Sequence, residues 1–192
     1  ELQPSVKWLV DIGDPFSFHT PQHQNNYRLY NRLNFAAERK VLEAAGAVAV
    51  TSEGTREQYR RFFPECAEKI HVIPPLLSYG RPDASTQPFF DGKDALRLLF
   101  VGNFCPKIRK PGPLLNVFGL LLQTQLKGRI QLHILGSVKN VMEYFAPYEA
   151  LIRSGKIVLH GVVEHRRAVQ AMREADVLVN SGNDTWYQTP SK

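Results

Sequence analysis

The chain has 192 residues, 43% apolar and 10% aromatic, and its 24 Lys and Arg against 18 Asp and Glu leave a net charge of +6. That length buries a real core, and the composition excludes a disordered tail. Two cysteines exclude a disulfide-dense secreted scaffold, and no apolar run nears the roughly 20 residues of a membrane helix.

From the N-terminus, residues 6–11 read as a strand ending in the turn Gly13-Asp14-Pro15. Residues 25–45 predict a long helix, capped by Asn25 or Asn26 and stopped by Gly46. Residues 47–51 form a second strand; Ser52 then caps a helix that Pro64 halts near residue 63. A third strand covers 69–73. Residues 76–94, with Pro82, Pro88, Gly80 and Gly92 and little periodicity, read as a linker.

The alternation then restarts. Strands are expected at 96–101, 130–135, 157–160 and 176–179, with helices at 113–126, 164–174 and, broken by Pro147, 138–154. This is the rhythm of parallel α/β layers. The expected fold class is therefore α/β, with Rossmann-like parallel sheets and flanking helices. Residues 1–75 and 95–192 form two partial domains joined at 76–94. The opening Glu1-Leu2-Gln3-Pro4 has no signal-like character, and the chain reads as a piece of a larger protein.

Open α/β sheets take ligands at the carboxyl ends of their strands, so the strand-to-helix loops carry the functional reading. The loop at 102–112 holds Gly102, which permits close backbone approach, and the cations Lys107, Arg109 and Lys110 just ahead of a helix N-terminus. Two readings stand: a diphosphate clamp, with Arg as a planar fork and Lys as a point charge, or a solvated basic loop. Neither Gly-x-Gly-x-x-Gly nor a Walker A motif is present. Gly136-Ser137, Gly161-Val162-Val163 and residues 180–185 leave the other exits small, which favours a nucleotide-type ligand.

Other chemistries find no support. His19 and His23 are separated by Pro21 with no carboxylate following, so no metal pair is expected, and Cys66 and Cys105 lack CxxC spacing. Ser17, Ser52 and Ser181 lack a Gly-x-Ser-x-Gly context. His71, His133 and His160 read as packing residues on strands. Arg28, Arg32 and Arg39, with Lys40 adjacent, share one stripe of the long helix. That stripe reads first as a solvated face opposite a core stripe of Tyr27, Tyr30, Leu33, Ala37 and Val41, and second as a contact for anionic lipid headgroups.

The ordered segments 47–52, 69–74, 98–102, 109–115, 132–136, 161–163 and 176–180, with the ending Tyr187-Gln188-Thr189-Pro190-Ser191-Lys192, resemble glycosyltransferase family 4. Those proteins have two Rossmann-like domains facing a cleft, the GT-B fold. The resemblance implies that the first partial domain is acceptor-side and the second donor-side. It implies that Gly102, Asn103, Arg109 and Lys110 hold the donor diphosphate, and that Gly136, Val162, Gln188, Ser191 and Lys192 border the nucleotide and sugar.

The reaction implied is transfer of a sugar from a nucleotide-diphosphate sugar to a hydroxyl of a glycan or lipid-linked acceptor, with retention. No metal or other cofactor is implied, and no nucleic acid. The setting implied is surface polysaccharide or glycolipid synthesis in the cytoplasm, with peripheral contact at the inner membrane face. A homodimer covering an open sheet edge is compatible with the reading. The family's paired Glu motif is not found, since residues 180–192 contain no Glu, and the catalytic residues stay unassigned. This stretch is expected to be inactive alone. A GT-B sugar-nucleotide epimerase and a non-catalytic α/β nucleotide-binding module remain as alternatives.

Overall fold

A computed structural model describes residues 7–18, 25–74, 87–92, 95–185 and 187. The chain divides into two compact units, Glu1–Leu77 with Asn183–Ser191 and Ser78–Gly182 with Lys192.

In the first unit, β1 (Leu9–Ile12), β2 (Ala47–Val50) and β3 (Ile70–Val72) form a parallel sheet in that order. Helix α1 (Tyr27–Ala44) joins β1 to β2, and α2 (Glu53–Phe62) with a 3-10 turn at Pro64–Lys69 joins β2 to β3. Val48, Ala49 and Val50 are buried, as a parallel strand covered on both faces requires. Ser52 caps α2 by accepting from Thr55 N at 3.2 Å. Lys69 Nζ donates to the carbonyls of Glu43 (2.7 Å) and Ala45 (3.1 Å), supplying the cation that the last turn of α1 lacks.

One expectation fails on α1. The buried side is Asn34, Glu38 and Leu42, whereas Leu33, Tyr30 and Val41 are exposed. A polar anchor seats the helix. Glu38 accepts from Ser17 N (2.9 Å), Phe16 N (3.4 Å) and the Tyr59 hydroxyl (2.5 Å), so apolar periodicity picks the wrong face. Burial and the Glu38 carboxylate push the Tyr59 hydroxyl far above its ordinary range. The Tyr187 carbonyl belongs to this unit too, accepting from Ser52 Oγ (2.8 Å) and Thr55 Oγ1 (2.6 Å).

In the second unit, β4 (Leu96–Val101), β5 (Ile130–Leu135), β6 (Ile157–Gly161) and β7 (Val177–Val179) form a parallel sheet ordered β6-β5-β4-β7. The helices are α3 (Gly112–Leu121), α4 (Glu149–Arg153) and α5 (His165–Glu174). The β4 side chains alternate between two cores. Leu98 and Phe100 pack with Leu115, Phe118 and Leu132, while Leu99 packs with Leu135 and Ala171. Helix α3 stops five residues before the sequence predicts, because Thr124 Oγ1 donates to the Leu121 carbonyl (2.7 Å) and turns the chain. Two 3-10 turns, Lys139–Tyr144 and Ala146–Tyr148, take most of the helix expected over 138–154.

Residues 87–92, read from sequence as part of the linker, are packed onto the second unit, where Phe90 joins the core of Leu99, Leu135 and Ala171. Residues 75–86, 93 and 94 of that linker lie outside the described residues.

Candidate functional site

In the second sheet the chain order runs β4, β5, β6 in one direction and then returns to place β7 on the other side of β4. The strand order therefore reverses at β4, and such a switch point opens a crevice at the carboxyl end of the strand. The residues that leave β4 and β5 there are Gly102 and Gly136. Gly102 N donates to the Leu135 carbonyl at 2.9 Å, and Gly136 N to the Gly161 carbonyl at 2.7 Å. Both glycines have positive φ, +149° and +138°, and a Cβ on Gly136 would lie 1.9 Å from the Gly102 carbonyl oxygen. No side chain fits that crossing, so the two loops pass backbone to backbone.

Asn103 fastens them: its Oδ1 accepts from Ser137 N at 3.0 Å. The basic loop then folds on itself. Cys105 N donates to the Arg109 carbonyl (3.0 Å) and Arg109 N to that of Cys105 (2.7 Å), leaving Lys107 exposed at the tip. Closure of this small loop carries the Arg109 guanidinium back beside Gly102, its Nη1 3.8 Å from where a Cβ there would stand. Below the loop, Phe100 and Phe104 stack with centroids 4.3 Å apart and planes 8° apart, a rigid apolar floor. Helix α3 begins after Pro111 with no side chain capping it, so its first-turn N–H groups meet the loop uncapped.

The structure thus brings Gly102, Asn103, Arg109 and Gly136 together. Lys110 is exposed on the same loop, and Val162 is 80% exposed at the end of β6, one strand beyond β5. Gln188, Ser191 and Lys192 lie outside the described residues. Sequence reasoning did not single out the Asn103–Ser137 fastening, since nothing in the sequence pairs residues 34 positions apart. Among the described residues no group of three metal-ligating side chains gathers, and no helix is long and apolar enough to cross a membrane.

The family model for Glycosyltransferase Family 4 matches residues 12–78. Comparison with curated proteins gave no match. Among solved structures, an S. aureus TarM mutant in complex with Fondaparinux, alpha-GlcNAc-glycerol and UDP matches at 16% identity and a TM-score of 0.57, over 91% of this chain and 32% of that one. A second TarM structure matches at 13% identity and 0.55, over 95% and 32%. The pneumococcal O-GlcNAc transferase GtfA, in complex with UDP and GlcNAc, matches at 16% and 0.56, over 93% and 33%. The chain spans about a third of the length of these proteins, and at such identities the likeness is one of fold. The family match is confined to residues 12–78, and the parallel α/β architecture of the chain is the fold of these GT-B glycosyltransferase structures.

Proposed function

We propose that the whole protein transfers a sugar from a nucleotide-diphosphate sugar to a hydroxyl acceptor, with this chain supplying donor-side residues. The observation that carries the reading is the Gly102–Gly136 crossing at the β4 switch point, with Arg109 folded back against it. The crossing gives a diphosphate close access to backbone, and Arg109 and Lys110 offer it charge. Those cations would stabilise the diphosphate as its bond to the anomeric carbon breaks and the acceptor oxygen bonds to that carbon. The uncapped start of α3 would add to the same field. UDP in the TarM and GtfA structures supports a nucleoside diphosphate as the leaving group. Retention of configuration, metal independence, a glycan or lipid-linked acceptor and a cytoplasmic setting beside an anionic membrane surface belong to the same proposal.

The test is calorimetric titration with UDP, GDP and ADP. At least one should bind, and Arg109→Ala with Lys110→Ala should weaken it by about tenfold or more. Absence of binding to all three, or unchanged affinity in the double variant, overturns the donor site.

A further inference from the structure

The second sheet holds a polar pair away from the Gly102–Gly136 crossing. Where β6 leaves β5 the register slips: Ile134 faces Leu159, but Leu135 faces Gly161, so His160 is the extra residue of a bulge. Gly161 follows with φ +70°. The His160 ring meets His133 of β5, with His133 Nδ1 and His160 Nε2 3.0 Å apart and the rings stacked at 24°. His133 is buried, and its Nε2 has no hydrogen-bond partner among the described residues.

The segment 87–92 covers this pair. Phe90 meets His133 edge-on with centroids at 4.7 Å, and Phe89 lies 5.1 Å from His160. Helix α5 ties the cover down: Glu174 Oε2 accepts from Phe89 N (2.8 Å) and Phe90 N (3.2 Å), and Gln170 Nε2 donates to the Gln87 carbonyl (2.7 Å). The charged groups around the pair are Arg97 of β4, over the Phe90 ring at 4.9 Å, Arg167 of α5, over Phe89 at 5.0 Å, Glu174, and Asp91 of the covering segment, whose carbonyl accepts from Arg97.

We propose that the His133–His160 pair is a positioning device for the turn at 161–163, holding the β6 exit against the donor nucleotide and letting it go when the pair takes up protons. This rests on the donor reading above. Neither histidine touches the donor; they act through backbone. His160 precedes Gly161, whose carbonyl accepts from Gly136 N at 2.7 Å, so the bulge sets where Val162 stands relative to the Gly102–Gly136 crossing. The facing nitrogens can share a hydrogen bond only while one of them lacks its proton. Burial, then His160 and Arg97, holds His133 down at about 4, and burial lowers His160 as well. The pair is therefore neutral near pH 7, and among the described residues it has no buried acceptor for an added proton. Glu174 is already engaged by Phe89, Phe90 and Gln170.

The experiment titrates the protein with UDP-glucose, GDP-mannose and ADP-glucose, whose diphosphate diesters do not themselves titrate, at about pH 7.5 and about pH 3.3, below the value near 4 at which His133 takes up its proton. Wild type should lose about fivefold or more in affinity for the bound nucleotide sugar over that span. His160→Gln keeps a hydrogen-bonding side chain that cannot ionise, and should change by less than about twofold; His133→Gln is the second such variant, and circular dichroism checks that each is folded. Equal pH slopes in wild type and both variants overturn the positioning role while leaving the donor site standing. No binding by any of the three sugars at either pH overturns both.

Discussion

Gly136 is the residue whose replacement is most sharply constrained. A methyl group there collides with the Gly102 carbonyl, a backbone atom that cannot swing aside, so Gly136→Ala should cost more than about 2 kcal/mol in denaturant unfolding and abolish nucleotide binding. Gly119, inside α3 with nothing within 4 Å of its would-be Cβ, is the contrast: Gly119→Ala should stabilise by about 0.5–1 kcal/mol. Both are a glycine in the sequence, and only three-dimensional proximity separates them. The placement of Gly102 and Arg109 at the exit of β4 is legible because strand-exit glycines and clustered cations have recognisable spacing. Glu38 was not. A buried carboxylate holding two backbone N–H groups and a tyrosine looks, in one dimension, like any solvated acid on a helix.

On α1, Arg28 and Arg32 are exposed, and so are Leu29 at 67% and Leu33 at 64%, an apolar band beside a basic flank. Such a face suits an anionic bilayer surface. Vesicles containing anionic lipid should float the protein and neutral vesicles should not, and Arg28→Glu with Arg32→Glu should cut the floated fraction several-fold. Equal flotation in both vesicle types overturns the charge-directed contact.

Under the segment 87–92, burial of His133 makes the second sheet sensitive to pH. Unfolded, His133 titrates near 6.5; folded, near 4. Below pH 6.5 the unfolded chain binds a proton that the native one refuses, so stability is full above that value and is lost as pH falls toward 4. The loss is roughly 2–3 kcal/mol, seen as a falling melting temperature that His133→Gln should flatten. These elements show why strand positions were read well and helix faces poorly. Strands such as 96–101 and 130–135 are continuous apolar runs that only a covered parallel sheet explains. The burial of α1 depends instead on polar groups whose partners lie more than 20 residues away.

For the whole molecule, the relevant fact is that each unit owns a core. Leu132, fully buried among Phe100, Phe118 and Ile157, belongs to the second alone. Leu132→Ala should therefore cost about 2–5 kcal/mol there. Hydrogen exchange should show faster opening of β4, β5 and β6 and unchanged protection of β1–β3. Two α/β halves were readable from the rhythm of strands and helices. That residues 87–92 serve the second half was not, because Pro88 and Gly92 announce a connection while Phe89 and Phe90, two ordinary aromatics, do the anchoring.

The Gly102–Gly136 crossing also bears on how such a protein can change over time. Two loops that touch backbone to backbone cannot drift independently: a residue inserted in one must be matched by a shift in the other. Saturation mutagenesis of 102–104 and 136–138 should consequently yield few tolerated single changes and a surplus of tolerated pairs, whereas the exposed tip at Lys107 should accept almost any residue. Sequence change would then run through the rim of the crevice, with the two crossing glycines left untouched.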